Sequence, residues 1–220
     1  GLTASPDALE HPVGFLAALS PHGQANRASD GCEIGQRFRI VDAGLSIKKY
    51  PMCYGAHRLI DGIVDLANAH DLRPGDVRAV RVTVGPAQAA MLRNHAPANA
   101  LEAKFSAEFA SAAALVARKV SLRELADGFV RQSDVQDLMT RVATEVVDTQ
   151  CPIDPVFAFS DRVRIDLADG RTLDSGEIRF ARGNAKLPLG AKDLRAKFLD
   201  CVADPEVAKR LFDGLAHLDT

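Results

Sequence analysis

Two segments with alternating apolar and polar residues restrict the fold of this 220-residue chain more than any other feature. Three valines alternate with Arg and Thr over residues 78–85, and Val, Ile and Leu alternate with Arg and Asp over residues 162–167. A period of two is typical of a strand with one buried face. The Asp169-Gly170 pair predicts a hairpin to a further strand within 173–180, because Gly accepts the positive φ of a type I′ turn. We therefore expect a small antiparallel sheet.

Helical patterns surround these strands. The Ala-rich segment 101–116 is apolar almost throughout, which predicts a helix packed on several sides. Two serines, each followed three positions later by Glu or Gln, match the capping box and predict two short helices. The expected helices cover 57–70, 101–116, 121–129, 134–142 and 191–218, the last one broken near Asp204 and Pro205. The fold class is therefore α+β, a small antiparallel sheet with flanking helices.

The chain is expected to have three parts. Residues 1–45 hold one short apolar stretch, 13–19, which indicates a short helix, and are otherwise typical of a connector. Residues 46–183 hold the predicted strands and form an α+β domain. Residues 184–220 form a C-terminal helical segment.

Charge and composition disfavour several classes of protein. Lys and Arg number 27 against 29 Asp and Glu, so the net charge of −2 gives no positive field to attract nucleic acid or an anionic membrane surface. Aromatic residues make up 5% and Trp is absent from the sequence, which disfavours a base-stacking platform. The apolar runs are shorter than the roughly 20 residues that span a bilayer. The first ten residues lack the pattern of a secretion signal.

The cysteines indicate a reducing compartment. Cys32, Cys53, Cys151 and Cys201 form no Cys-x-x-Cys pair and have no His at zinc-finger spacing. Neither a metal site nor a dense disulfide framework is expected from this spacing. We expect four reduced thiols in a cytoplasmic protein.

Reactive side chains are densest within residues 48–57, which hold Lys48, Lys49, Tyr50, Cys53, Tyr54 and His57. His57 lies in the first turn of a predicted helix, where the positive end of the helix dipole favours a neutral imidazole and thus a proton-abstracting base. The two lysines would hold the carboxylates of an acidic substrate. The alternative is an ordinary surface His beside a solvated basic turn. In both interpretations His57 faces solvent, so His57→Ala would change stability little.

A second cluster, Lys104 and Ser106, interrupts the Ala-rich segment. A cation in so apolar a segment must extend to water or find an anion, such as a substrate carboxylate. Both interpretations stay open. The remaining histidines have no neighbours that complete a catalytic triad or a metal-ligand set. The sequence also lacks a nucleophile elbow, a P-loop and a dinucleotide-binding fingerprint.

Together the two clusters resemble motifs of the MmgE/PrpD family. Residues 48–57 read Lys-Lys-Tyr-Pro-Met-Cys-Tyr-Gly-Ala-His, which is similar to the family's Lys-x-Tyr-Pro-x-Cys-x-x-x-His motif, and Asp61 follows. Residues 103–106, Ala-Lys-Phe-Ser, resemble a second family block. Residues 167–171 and 196–198 fit the family's C-terminal portion. The chain thus resembles the C-terminal lid portion of this family.

The resemblance implies a fold and a chemistry. The family includes 2-methylcitrate dehydratase, cis-aconitate decarboxylase and iminodisuccinate epimerase, which move protons next to a carboxylate on small polycarboxylates. It has no essential redox cofactor, and none is expected here. Its members combine a large all-helical domain with a smaller α+β lid, and the active site lies between them. This chain would supply the lid, and its terminal segments would belong to the helical domain, most of which would lie outside these 220 residues.

The same resemblance implies residue roles. His57 and Lys104 would be catalytic, His57 as acid or base. The residues expected to bind substrate are Lys48, Tyr50, Cys53 and Ser106. Phe109 stands where the decarboxylase has Tyr, and the missing hydroxyl disfavours decarboxylation.

Three functions follow as hypotheses. The first is a dehydratase-type lyase that abstracts a proton next to a carboxylate of a small di- or tricarboxylate. The second is an epimerase or isomerase of the same family. The third is a non-catalytic lid that binds a helical partner domain or dimerises. Alone, residues 1–220 are expected to fold, to form a homo-oligomer and to lack lyase activity.

Overall fold

The computed structural model of the chain describes residues 5–20, 35, 36, 38–153 and 156–215. It divides into two compact units, Gly1–Gly44 and Leu45–Thr220. The described part of the first unit contains two short helices, α1 (Phe15–Leu19) and α2 (Arg39–Asp42). The short helix expected within 13–19 is therefore confirmed. The division of the rest into a domain over 46–183 and a segment over 184–220 stays a prediction.

The second unit contains a four-stranded sheet and eight helices in its described residues. The strands are β1 (Val77–Val84), β2 (Val142–Val146), β3 (Arg162–Leu167) and β4 (Thr172–Asp174), in the order β2-β1-β3-β4. The helices before β2 are α3 (His57–Ala69), α4 (Pro86–Met91), α5 (Ala100–Ala103), α6 (Ala107–Ala117), α7 (Asp127–Val130) and α8 (Ser133–Met139). The helices after β4 are α9 (Ala191–Cys201) and α10 (Pro205–Leu215). The expected α+β class with flanking helices is confirmed.

The sheet is mixed rather than wholly antiparallel. β1 pairs antiparallel with β3, and β3 pairs antiparallel with β4, so the predicted strands and hairpin are present. β2, however, pairs parallel with β1. Sequence analysis assigned Val142 to the end of a helix, but α8 ends at Met139 and the Arg141 carbonyl already accepts a hydrogen bond from the Val80 N–H at 2.9 Å. The expectation of a purely antiparallel sheet was wrong for this pair.

The hairpin after β3 differs in detail from the prediction. Gly170 has φ +89°, whereas Asp169 is not among the described residues with positive φ, so the turn is not type I′. The Gly170 N–H donates to the Leu167 carbonyl at 3.1 Å, and the Leu167 N–H to the Arg171 carbonyl at 2.8 Å. β4 ends at Asp174, shortly before Gly176 at φ +66°, so the strand expected within 173–180 is shorter than predicted.

The Ala-rich segment forms two helices where one was expected. The chain leaves the helical conformation at Ser106, whose φ is −128° and ψ 125°, and the Ser106 hydroxyl caps α6 by accepting the Phe109 N–H at 3.0 Å. The first helix thus ends at Ala103, and Ser106 starts the second as its N-cap. α6 packs against α3 and α8, and its residues 107–115 are all buried, which confirms packing on several sides.

The segments predicted from capping boxes are only partly helical. The Ser121 N–H donates to the Glu124 carboxylate at 2.7 Å, as in a capping box, but helix is present only from Asp127 in α7. The C-terminal break is confirmed: the Asp204 carboxylate accepts the N–H groups of Glu206 and Val207 at 2.9 and 3.0 Å at the start of α10. Residues 216–218 of the predicted last helix lie outside the described residues.

We predict that a methyl group at Gly85 destabilises the fold. A Cβ there would lie 2.9 Å from the Ala158 backbone nitrogen and 3.3 Å from Gln88 Oε1, so Gly85→Ala should lower the free energy of unfolding by about 1–3 kcal/mol, the usual range for overpacking. Urea denaturation measures this. Gly75→Ala is the matched control, because a Cβ at Gly75 would meet nothing within 4 Å. Equal stabilities for the two variants would contradict the packing described here.

Candidate active site

The structure joins the two clusters singled out in the sequence. Residues 48–53 lead into a 3-10 turn, Tyr54–Ala56, and His57 is the first residue of α3. The Cys53 N–H donates to the Lys104 carbonyl at 3.0 Å, so the segment before α3 is tied to the chain between α5 and α6. This backbone bond brings together motifs that lie about fifty positions apart.

A cavity of about 540 Å³ lies where the two clusters meet. Its walls combine cationic side chains with apolar and aromatic ones. They are formed by Lys48, Pro51, Met52, Cys53, Tyr54, Gly55, Met91, Lys104, Phe105, Val156 and Phe157. Lys48 and Lys104 are exposed at the cavity, and the Lys48 ammonium donates to the Met52 carbonyl at 3.1 Å. Three of the six predicted site residues, Lys48, Cys53 and Lys104, therefore share one cavity.

His57 does not face solvent, contrary to expectation. Its exposed fraction is 0%, and it does not line the cavity. The ring lies between two tyrosines, with centroids 5.2 Å from Tyr50 and 4.9 Å from Tyr54. The basic turn before the helix suggested a solvent-facing residue, but Arg58 and Asp61, which follow His57 in α3, are buried as well. A His57→Ala variant would therefore leave a cavity and cost stability, by about 2–5 kcal/mol if it resembles other large-to-small core substitutions.

Both ring nitrogens of His57 lack a hydrogen-bond partner among the described residues. Burial lowers the pKa of His57 to about 4, and the positive charge of Lys48 adds to the shift. The backbone carbonyls of Met52 and Tyr50 oppose it without forming a well-aligned hydrogen bond. His57 is therefore neutral near pH 7, as a general base requires.

Tyr50 is fixed by a carboxylate. Its hydroxyl donates to Asp61 Oδ1 at 2.7 Å, and Asp61 Oδ2 accepts the backbone N–H of Arg182 at 2.7 Å. Burial and the negative charge of Asp61 raise the pKa of Tyr50 well above its usual range. The Arg182 guanidinium also binds both Asp65 oxygens at 2.8 Å. The Tyr50 ring is thus held in place beside His57. Its contact with substrate stays a prediction.

The other predicted site residues have structural contacts. Ser106 is fully buried, its hydroxyl caps α6, and it also donates to Glu108 at 3.2 Å. Lys49 lies away from the 540 Å³ cavity and forms an ion pair with Asp193 of α9 at 3.0 Å. Phe109 is fully buried and packs edge-on against Phe129. Substrate binding by Ser106 stays a prediction.

A buried polar cluster beneath the cavity was not found by sequence reasoning. Gln88 is fully buried and makes four hydrogen bonds: its Oε1 accepts the Gly85 and Ala158 N–H groups at 3.1 Å each, and its Nε2 donates to the Gly55 carbonyl at 3.3 Å and to Asp161 at 2.9 Å.

Asp161 is paired with Arg58, the residue after His57, at 3.2 Å. Burial raises the pKa of Asp161 to about 6, although the Arg58 guanidinium opposes the shift. The only sequence signal for this pair was the charged Arg58 beside His57. Gln88 carried no signal, because its importance depends on segments distant in sequence.

Among the residues that the structure describes, no group of three or more His, Cys, Asp and Glu is arranged to hold a metal ion. None of the described helices is both long and apolar enough to cross a bilayer.

The family model of the MmgE/PrpD C-terminal domain matches residues 50–211. The chain belongs to the MmgE/PrpD family. The match begins at Tyr50, within the segment that positions His57, and ends in α10, so it includes the cavity-lining residues from Pro51 to Phe157, while Lys48 lies before it. It confirms the resemblance to the family's C-terminal portion. A search of curated proteins found no match.

We predict that His57 makes the stability of this MmgE/PrpD domain depend on pH. Because the fold lowers the pKa of His57 from 6.5 to about 4, the folded state binds this proton less readily than the unfolded chain does. The contribution of His57 is full above pH 6.5 and is lost as the pH falls to about 4. At 1.36 kcal/mol per pKa unit, acidification should lower the free energy of unfolding by about 3 kcal/mol through His57.

Urea unfolding between pH 7.5 and 4.5 measures this effect. Asp61 and Asp161 have raised pKa values and act with the opposite sign, so the wild type is compared with His57→Phe, in which only the His57 contribution is absent. The wild type should lose stability more steeply than the variant on acidification. Parallel curves would show that the imidazole is not held neutral by the fold.

Proposed function

We propose that the chain provides the cation-lined wall of a lyase active site of the dehydratase type, in a cytoplasmic enzyme that abstracts a proton next to a carboxylate of a small di- or tricarboxylate. The observation that carries the proposal is the cavity shared by Lys48 and Lys104, with the neutral His57 directly behind Tyr54. Family membership supports the same class of chemistry.

The residues suit the demands of such a reaction. Removal of a proton α to a carboxylate creates enolate charge. It requires a base whose pKa lies near the operating pH, and cations close to the developing oxyanion. Burial keeps His57 neutral near pH 7, so its ring has a lone pair free for the proton, but its pKa of about 4 lies below the best value for a general base at that pH. The ammonium groups of Lys48 and Lys104 would bind the substrate carboxylates and stabilise the enolate. The C–O bond of the β-hydroxyl group then breaks as the double bond forms, and the hydroxyl takes the proton back from the His57 imidazolium and leaves as water.

Proton exchange in D₂O distinguishes the three functions proposed for this family member. The chain joined to its helical partner domain, and residues 1–220 alone, are each incubated with 2-methylcitrate or cis-aconitate and followed by ¹H NMR. In the joined protein, loss or gain of alkene signals indicates a lyase, deuterium incorporation without alkene change indicates an epimerase, and neither indicates a non-catalytic lid. Because one wall provides little of the proximity that a closed site gives, we expect the full activity only with the helical partner domain, and none with residues 1–220 alone.

Substitution of Lys104 tests its assigned role in the active enzyme. Lys104→Met removes the charge and keeps the length of the side chain, so it should raise KM and lower kcat together. The loss in kcat/KM should be about 10- to 100-fold, since a hydrogen bond to a charged group contributes about 1.5–3 kcal/mol.

Lys209→Met is the matched control, because Lys209 is exposed on α10 and does not line the cavity. Its kinetics should be those of the wild type. If the kinetics of Lys104→Met are also unchanged, Lys104 does not bind substrate and its side chain only extends to water.

A further inference from the structure

His57 is enclosed by two tyrosines that face different cavities. Tyr54 lines the 540 Å³ cavity, whereas Tyr50 lines a second cavity of about 260 Å³ together with Lys49, Lys119 and Lys197. His57 lines neither. A ligand that approaches the imidazole from either cavity through these tyrosines would have to displace one of the two rings.

The two tyrosines are held with different strength. Tyr50 is 4% exposed, and its hydroxyl binds the Asp61 carboxylate, which the Arg182 N–H also binds. Hydrogen bonds to a charged group are roughly twice as strong as neutral ones. The half-buried Tyr54 has one neutral bond instead, from the Asn184 amide to its hydroxyl at 3.1 Å. Tyr54 is therefore the ring that moves at lower cost.

Two neighbours, Phe157 and Asn184, define the present position of the Tyr54 ring. Its ring packs edge-on against Phe157, with centroids 5.7 Å apart, and Phe157 is itself a cavity-lining residue. Asn184 lies in the loop between β4 and α9, directly after Gly183, whose φ is +91°. The loop is fixed by the bond from the Ile47 N–H to the Gly183 carbonyl at 2.7 Å, so the amide that binds Tyr54 is held in place.

The imidazole itself points to a ligand. Buried polar atoms are nearly always hydrogen-bonded, yet both nitrogens of the fully buried His57 lack a partner among the described residues. Rotation of the Tyr54 ring out of its place would open these nitrogens to a donor or acceptor in the 540 Å³ cavity. The present arrangement is thus a closed state with an unsatisfied group behind a weakly held ring.

We propose that Tyr54, held by Asn184, is the gate that controls access from the 540 Å³ cavity to His57. The inference rests on the proposed function for its purpose, since the gate would admit a carboxylate substrate to the base, but its mechanics depend only on the contacts described above. Tyr54 is a positioning residue in this scheme: it excludes water from His57 until a ligand occupies the cavity.

Carbethoxylation with diethyl pyrocarbonate tests the gate without any substrate. The reagent modifies neutral, accessible imidazoles, and peptide mass spectrometry of the 220-residue chain reports each His separately. Asn184→Ala and Tyr54→Phe both remove the hydrogen bond and keep the ring. Each should raise the modification rate of His57 about 2- to 10-fold, as expected for the loss of one neutral hydrogen bond. His95, whose side chain is 70% exposed, is the internal reference and should react at the wild-type rate in every variant.

Tyr50→Phe and Gln136→Ala complete the design. Tyr50→Phe removes the hydroxyl of the other ring, and Gln136→Ala removes the hydrogen bond from the Gln136 amide in α8 to the Val130 carbonyl in α7, away from the cavity. If Asn184→Ala and Tyr54→Phe leave the His57 rate unchanged while circular dichroism shows both folded, the gate is excluded. A larger increase in Tyr50→Phe than in both of them would assign access to the second cavity instead and overturn the proposal. The two proposals can fail separately. If His57 becomes more reactive in Asn184→Ala and Tyr54→Phe but the proton-exchange test shows no reaction, the gate is supported and the proposed function is not.

Discussion

The candidate site depends on the interruption of the Ala-rich segment at Ser106. A continuous helix would use the Lys104 carbonyl for its own hydrogen bond, whereas the break leaves that oxygen to accept the Cys53 N–H. The same break removes Lys104 from the helix interior and places it at the end of α5, beside the cavity. One capping hydroxyl thus determines both the position of the cation and its attachment to the segment that leads to His57.

Buried polar groups next to the cavity fix the conformation of the segments that line it. Gln88 uses all of its principal hydrogen-bonding capacity on segments that come from three parts of the chain. The Arg58 and Asp161 ion pair adds a charged bond next to His57. Because a half-satisfied network in a core is costly, these residues hold a single geometry for the loop that carries Phe157. The residues bound by Gln88 and Asp161 are therefore held rigidly, whereas Tyr54 is held by one neutral hydrogen bond.

Local patterns in the sequence predicted much of the fold. Alternation located β1 and β3, helical spacing located α3, and Asp204-Pro205 located the break between α9 and α10. β2 was missed because it is an edge strand whose mostly exposed or half-buried residues carry little alternation, and its pairing depends on β1 far earlier in the chain. For the site, motif resemblance found the residues but not their exposure. Burial of His57, Arg58 and Asp61 is decided by segments that pack over α3, and no pattern within α3 itself records them.

The sheet order also has a consequence for how the chain acquires its structure during synthesis. The central strand β1 is made first, but its neighbours β2 and β3 follow only after all of α4 to α8, or later still. Val80 pairs with Val142 and Ile165, which are both synthesised much later, so the contacts that define the sheet are non-local. Chains dominated by such contacts fold slowly, and an unpaired apolar strand is prone to aggregate meanwhile. Arg78, Arg81 and Thr83, which interrupt the valines of β1, give the waiting strand a polar face and a positive charge that oppose premature association.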